Sequence, residues 1–219
     1  MESFTILESS DRNGWLRNRT RGIGGSDAAA ILGLSPNKSN VQLYEEKMGL
    51  AKPEDISDKP YVKYGVAAEP LIRELFALDY PEYEVTHHEH RILQSKSHPF
   101  MLASLDGELV DRTTGRRGVL EIKTTSILQA SQRDKWNERI PDNYYCQVLH
   151  YLLVTGWDFA ILRAHLRSEW GEEKSTSIRH YRIERRDVQA DLDYLLTEET
   201  RFWQHIVDGK MPHRIVAGL

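Results

Sequence analysis

The sequence predicts a mixed α/β (α+β) fold, and three observations predict it. Apolar residues alternate with a period of two through 102–110, 119–123, 157–166 and 177–185, the pattern of strands. They recur every three or four residues through 61–78, 142–155 and 187–208, the pattern of amphipathic helices. Glycine and proline mark the boundaries, with Gly33, Pro36, Gly49, Pro141 and Gly156 each closing or opening a run. With 219 residues, 40% of them hydrophobic, the chain can bury a core as a single domain over 1–219, an N-terminal helical segment (15–80) packing on a core spanning 84–209.

In order along the chain, Gly22, Gly24 and Gly25 interrupt any element before them. Ser26 is placed to cap the Ala-rich helix that follows, which stops at Gly33. A Gly-Gly-Ser turn at a helix start offers free N–H groups to an anion, and Arg19 could complete the clamp. An ordinary capped helix behind a flexible turn fits the same residues, and the spacing is not that of a P-loop. Ser39 to Gln42 reads as a capping box opening a short helix to about Met48, and residues 51–60 form a polar connector. The helix over 61–78 places Val66, Glu69, Arg73 and Phe76 near one side, with Pro70 inside it. His87, His88 and His90 invite a zinc site. In an extended segment, however, His88 and His90 share one face and His87 the other, and no Cys pair supports the metal.

Residues 102–123 form a predicted β-hairpin whose polar link, Asp111 to Gly118, joins two apolar runs. In the second run Val119, Glu121 and Lys123 share one face. Folding back around Thr113 and Thr114 sets Asp106 opposite Glu121, where cross-strand Cβ atoms lie about 4.5–5.5 Å apart. Two carboxylates that close repel unless a cation lies between them, and Mg²⁺ suits such a pair together with substrate phosphates. A surface ion pair is the competing reading. Glu-x-Lys also occurs at Glu45/Lys47, in a helical pattern, and at Glu172/Lys174, in a polar loop, so only the copy inside an apolar strand carries weight. Helices follow over 126–138 and 142–155, the second with Tyr144, Gln147 and Tyr151 on one side. The long helix from Asp187 to Asp208 carries a stripe for the core or for an oligomer contact.

Composition narrows the classes further. Cys146 is the single cysteine, so no intrachain disulfide forms and a reducing compartment is expected. The first fifteen residues lack a long apolar run, which argues against a secretory signal, and no run is long enough for a membrane-spanning helix. A net charge of −4 does not advertise nucleic-acid binding, yet arginines cluster at 12–21, 112–117 and 179–186.

Five pieces in this order, Arg19-x-x-Gly-Ile-x-x-Ser26, Gly65-x-x-x-Glu69, Ser104-Leu-Asp106-Gly107, Glu121-Ile-Lys123 and Gln147 before Thr155-Gly156, resemble the lambda-exonuclease (YqaJ-type) viral recombinase and alkaline exonuclease family of the PD-(D/E)xK nuclease superfamily. Leu105 stands where the superfamily name expects proline, and Pro70 directly follows Glu69. The resemblance implies a restriction-endonuclease-like PD-(D/E)xK core, a central mixed β-sheet flanked by helices. It implies that Asp106, Glu121, the Ile122 carbonyl and Glu69 hold Mg²⁺ (two ions, with Mn²⁺ able to substitute), that Lys123 and Gln147 act at the scissile phosphate, and that Arg19 and Ser26 receive a 5′-phosphate. The implied activity is 5′→3′ exonuclease digestion of one strand at double-stranded DNA ends to mononucleotides. It would leave 3′ overhangs for a single-strand annealing partner and act as a homotrimeric ring in the cytoplasm of a bacterial host, encoded by phage or prophage. A PD-(D/E)xK endonuclease or junction resolvase, and a non-catalytic DNA-binding module, are the alternatives.

Overall fold

The computed structural model describes residues 2–170 and 173–215. The elements in chain order are β1 (Phe4–Glu8), α1 (Arg12–Arg19), β2 (Ile23–Gly24), α2 (Gly25–Ile31), α3 (Asn40–Lys47), α4 (Pro60–Asp79), β3 (Tyr83–Thr86), β4 (Arg91–Ser95) and β5 (Met101–Ala103). They continue with β6 (Gly107–Asp111), β7 (Arg117–Ile127), α5 (Ala130–Asp134), α6 (Asp142–Thr155), β8 (Phe159–Trp170), β9 (Glu173–Glu184) and α7 (Gln189–Asp208).

A five-stranded sheet runs β3-β6-β7-β8-β9. Within this sheet, among the described residues, β7 and β8 alone pair in parallel, and the chain between them, which includes α5 and α6, makes the crossover that parallel strands require. The central strand β7 is buried on both faces from Gly118 to Ile122, which explains its nearly continuous apolar run. On one face Leu120 and Ile122 pack with Phe159 and Ile161 against Ala68, Ile72 and Phe76 of α4. Phe76 and Phe159 are wholly enclosed there, and burial of side chains of this size stabilises a fold by roughly 1.5–3 kcal/mol each. On the other face Val119, Ala160 and Leu162 meet α6, whose residues from Cys146 to Leu152 are all buried. A helix apolar nearly all round is one enclosed on all sides. Here α2, α7 and the second sheet, ordered β1-β4-β5-β2, complete the enclosure. Gly156, at φ 68°, ends α6 in the left-handed conformation that glycine adopts without strain.

Several sequence expectations shift. The run 102–110 is not one strand: Met101–Ala103 belongs to the second sheet and Gly107–Asp111 to the first, with Ser104, Leu105 and Asp106 crossing between them. Ser26 does not cap α2. Gly24 does, its N–H donating to Asp27 Oδ2 at 3.0 Å, because Asp27 reaches back one turn. The helix expected over 126–138 shrinks to α5, since Thr124, Thr125 and Ile127 are β-branched and extend β7 against His165–Ser168. His87–His90 form a turn between strands, with His90 at φ 58°, and do not extend a strand. Val66 lies outward, and the buried stripe of α4 is Ala68, Ile72 and Phe76. Pro70 sits within one unbroken helix, where its missing N–H removes the usual partner of the Val66 carbonyl. Of the third Glu-x-Lys copy, Glu172 lies outside the described residues and Lys174 lies in β9, not in a loop.

Candidate active site

Strand alternation puts Glu121 and Lys123 of β7 on the side facing α6. Glu121 is 1% exposed, and its Oε1 sits 2.6 Å from Lys123 Nζ. Gln147, one turn inside α6, donates from Nε2 to the same Oε1 at 2.8 Å and to the Tyr151 hydroxyl at 2.9 Å. Glu121 Oε2 is buried and has no partner. Such an atom is costly in a folded protein unless something else completes it.

Asp106 arrives from the crossing between the two sheets. Gly107 pairs with Leu120, so Asp106 stands one step beyond the ladder beside Glu121. Its Oδ2 accepts the Ile122 N–H at 2.8 Å, which replaces a ladder bond with a bond to a carboxylate. Gly107 sits tightly here: a Cβ would lie 3.2 Å from Leu120 side-chain atoms, so a larger residue would press on that side chain.

Glu69, on α4, is held by Arg73 at 3.0 Å, an i,i+4 pair, and lies near enough to Asp106 and Lys123 to feel their charge. Burial and the neighbouring Asp106 push the Glu121 carboxyl up to about 8, against the pull of Lys123. Burial and Asp106 likewise raise Glu69 to about 7, with Arg73 and Lys123 opposing. Burial also raises Asp106, though Lys123 and the Ile122 N–H resist it. Burial alone would depress the Lys123 amine, but Glu121 and Asp106 more than offset this and hold it protonated.

Among the described residues, no three His, Cys, Asp or Glu side chains converge as a ready-made metal cage. Mg²⁺ seldom needs one, as it commonly takes one or two carboxylates and fills its shell with water and substrate phosphate. The orphaned Glu121 Oε2, in a carboxyl repelled by Asp106 and Glu69, fits such an ion.

Arg19 and Ser26 do not join this cluster. They line a neighbouring cavity of about 220 Å³, together with Lys38, Lys47, Ser104 and Tyr151. The Arg19 guanidinium lies over the Trp15 ring, 4.5 Å from its centroid, and Trp15 Nε1 donates to Ser104 Oγ at 3.1 Å. Lys47 pairs with Asp27 at 2.7 Å, and Lys38 pairs with Glu46. The three cations Arg19, Lys38 and Lys47 therefore face the two acids Asp27 and Glu46 around this cavity. Sequence reasoning left Lys38, Lys47, Ser104, Arg73 and Trp15 without roles. Only Arg73 carried a local signal, its spacing from Glu69.

The mixed sheet with flanking helices and an acid–x–lysine strand at its centre is a fold of the PD-(D/E)xK type. Residues 14–158 match the YqaJ-like viral recombinase domain, and the chain belongs to that family. The uncharacterized protein YqaJ of Bacillus subtilis is 31% identical over 207 residues, which cover 92% of this chain and 58% of that protein. The chain thus spans little more than half the length of that relative. The alkaline exonuclease LHK-Exo from Laribacter hongkongensis superposes with a TM-score of 0.68 at 18% identity, over 90% of this chain and 93% of that one. A phage related exonuclease from Haemophilus somnus 129PT superposes at 0.55 with 11% identity, over 86% and 96%. These likenesses bear out the restriction-endonuclease-like core expected above. No helix among the described residues is long and apolar enough to cross a membrane.

Proposed function

We propose that this chain is a Mg²⁺-dependent exonuclease that degrades one strand of linear double-stranded DNA in the 5′→3′ direction. It starts from 5′-phosphorylated ends, releases mononucleotides and leaves 3′ single-stranded tails for strand annealing. One observation carries the reading: Glu121 has one oxygen occupied by Lys123 and Gln147 and the other buried without a hydrogen-bond partner, in a carboxyl that Asp106 repels. A catalytically idle module has no need of that arrangement, which costs stability.

Asp106, Glu121 and the Ile122 carbonyl would hold the metal, and Glu69 would serve a second position. When bound, Mg²⁺ supplies the charge that neutralises a phosphodiester and activates water beside it. Lys123, which Glu121 and Asp106 favour in its charged form, would orient or deprotonate the attacking water and counter charge on the phosphate. Gln147 presents its amide at the same oxygens and fixes Glu121 in place. Arg19 and Ser26, with Lys38 and Lys47 behind them, would receive a terminal phosphate in the adjoining cavity. The excess of one cation over the acids there favours an anion. The same reading includes a single-strand annealing protein as partner and a homotrimeric ring enclosing the duplex.

The deciding experiment measures acid-soluble nucleotides released from linear 5′-phosphorylated duplex, from the same duplex with 5′-hydroxyl ends, and from covalently closed circles. Release from the linear duplexes, faster from phosphorylated than from hydroxyl ends, absent from closed circles, abolished by EDTA and restored by Mg²⁺ or Mn²⁺, is the expected result. Cutting of closed circles would favour the endonuclease or resolvase reading, and binding without release would favour a non-catalytic module.

A further inference from the structure

Tyr151 belongs to both parts of the site. Its ring lines the cavity that holds Arg19 and Ser26, and its hydroxyl accepts from Gln147 Nε2 at 2.9 Å while that same amide donates to Glu121 at 2.8 Å. Cavity and carboxylates are thus separated by one aromatic side chain, 5% exposed. The seat of that ring is specific. A Cβ on Gly25 would come within 2.5 Å of Tyr151 Cε1 and 3.0 Å of Gln147 Cγ, so α2 meets α6 closely only because residue 25 is glycine. Burial, together with the Glu121 and Asp106 carboxylates, raises the phenol well above its ordinary value, so it stays an O–H.

We propose that Tyr151 is a positioning residue that couples the terminal-phosphate cavity to the hydrolytic centre. With the ring fixed by α2 and the cavity wall, the hydroxyl holds the Gln147 amide on Glu121. A phosphate seated against that wall tightens the same chain of contacts, so a 5′-phosphorylated end raises the rate of the chemical step as well as the affinity. A free amide side chain has two orientations, only one of which donates to Glu121. The Glu121 carboxylate, which only accepts, selects that one, and the hydroxyl, accepting from the same Nε2, holds the amide there.

This inference rests on the exonuclease reading, and the test separates the two. Tyr151→Phe keeps the ring and removes only the hydroxyl. Expected are a kcat on 5′-phosphorylated duplex lowered about tenfold, the usual cost of losing an outer supporting hydrogen bond, and a KM within about twofold of wild type. The rate advantage of phosphorylated over hydroxyl ends should shrink by a similar factor. Binding of phosphorylated duplex in EDTA, read by fluorescence anisotropy, and the melting temperature should both hold. In a Gln147→Leu background, Tyr151→Phe should cost nothing further, since both changes break one chain of contacts. An unaltered kcat in Tyr151→Phe, a loss confined to KM or to melting temperature, or full additivity with Gln147→Leu would each overturn the proposal while leaving the exonuclease reading intact. A wild type that releases no nucleotide from any end overturns the reading, and this proposal with it.

Discussion

Lys123 Nζ lies 2.6 Å from Glu121 Oε1, two residues away along one face of the same strand, while Glu121 Oε2 is buried without a hydrogen-bond partner. The lysine therefore neutralises half of a carboxylate and leaves the other half to a cation. Removing it should strip the phosphate of its fixed positive neighbour without disturbing the strand, which is held by its ladders and by Leu120 and Ile122. Lys123→Ala should lower nucleotide release by about 10²–10³, the range seen when one electrostatic donor to a transition state is lost. Duplex binding in EDTA should be largely retained. Full activity in that variant would remove Lys123 from the chemistry.

The cavity gives a separate expectation. Arg19, stacked on Trp15, is the cation there best shaped for a bidentate contact with phosphate. Arg19→Ala should reduce the preference for 5′-phosphorylated over 5′-hydroxyl ends by about tenfold or more, matching the roughly 1.5–3 kcal/mol of a charge-assisted hydrogen bond. The rate on hydroxyl ends should change little. Competition between the two end types in one reaction measures the ratio directly, and an unchanged ratio would exclude Arg19 from the pocket.

How far the sequence could foresee this arrangement depends on how local each contact is. Glu121 and Lys123 were legible because strand alternation fixes the face of each side chain, and Gln147 and Tyr151 because one helical turn separates them. Asp106 opposite Glu121 followed from counting back through the hairpin, and the register Gly107↔Leu120 agrees. What counting could not show is that the chain changes sheets at Ser104–Asp106, because that break is set by the second sheet. Its strand β1 pairs Ile6 with Leu93, far along the chain, and the β-favouring run Phe4–Leu7 does not by itself say which strand it joins. Lys38 and Lys47 reach the cavity only through the packing of α3 against α2, and no periodicity in either segment announces that.

A buried ion pair away from the chemistry sets a pH dependence of stability. His150 and Glu199 are both fully enclosed, with Nδ1 2.8 Å from the Glu199 carboxylate and Nε2 2.9 Å from the Leu102 carbonyl. Two acceptors facing the ring require both nitrogens to carry protons. Burial alone would depress the imidazole, but Glu199 and the Leu102 carbonyl raise it above its ordinary value. A histidine raised on folding stabilises fully below the unfolded value of about 6.5, and that contribution is lost as pH climbs through the folded one. Wild type should therefore lose melting temperature above pH 6.5 more steeply than His150→Gln, so that the gap between them narrows as pH rises. Breaking a buried pair costs about 3–5 kcal/mol at its largest, which makes the gap measurable by calorimetry. Parallel curves would mean that His150 is neutral throughout.

The packing of α2 against α6 yields the last expectation. Gly25 faces the Tyr151 ring so closely that a methyl group would lie 2.5 Å from Cε1 and 2.8 Å from Cζ, distances that real Cβ contacts do not reach. The ring has no empty space to retreat into without giving up either its place on the cavity wall or its bond to Gln147. Gly25→Ala should then destabilise the fold by about 1–3 kcal/mol, the usual cost of an extra methyl in a packed interior. That corresponds to a fall of about 2–12 °C in melting temperature for a chain of this size, at roughly 2–4 °C per kcal/mol. Nucleotide release at a temperature where the variant remains folded should fall further than Tyr151→Phe does, because the whole ring is displaced as well as the hydroxyl. A folded Gly25→Ala variant with wild-type rate and wild-type end preference would show that the ring moves aside without consequence, and that neither Gln147 nor the cavity depends on where it sits.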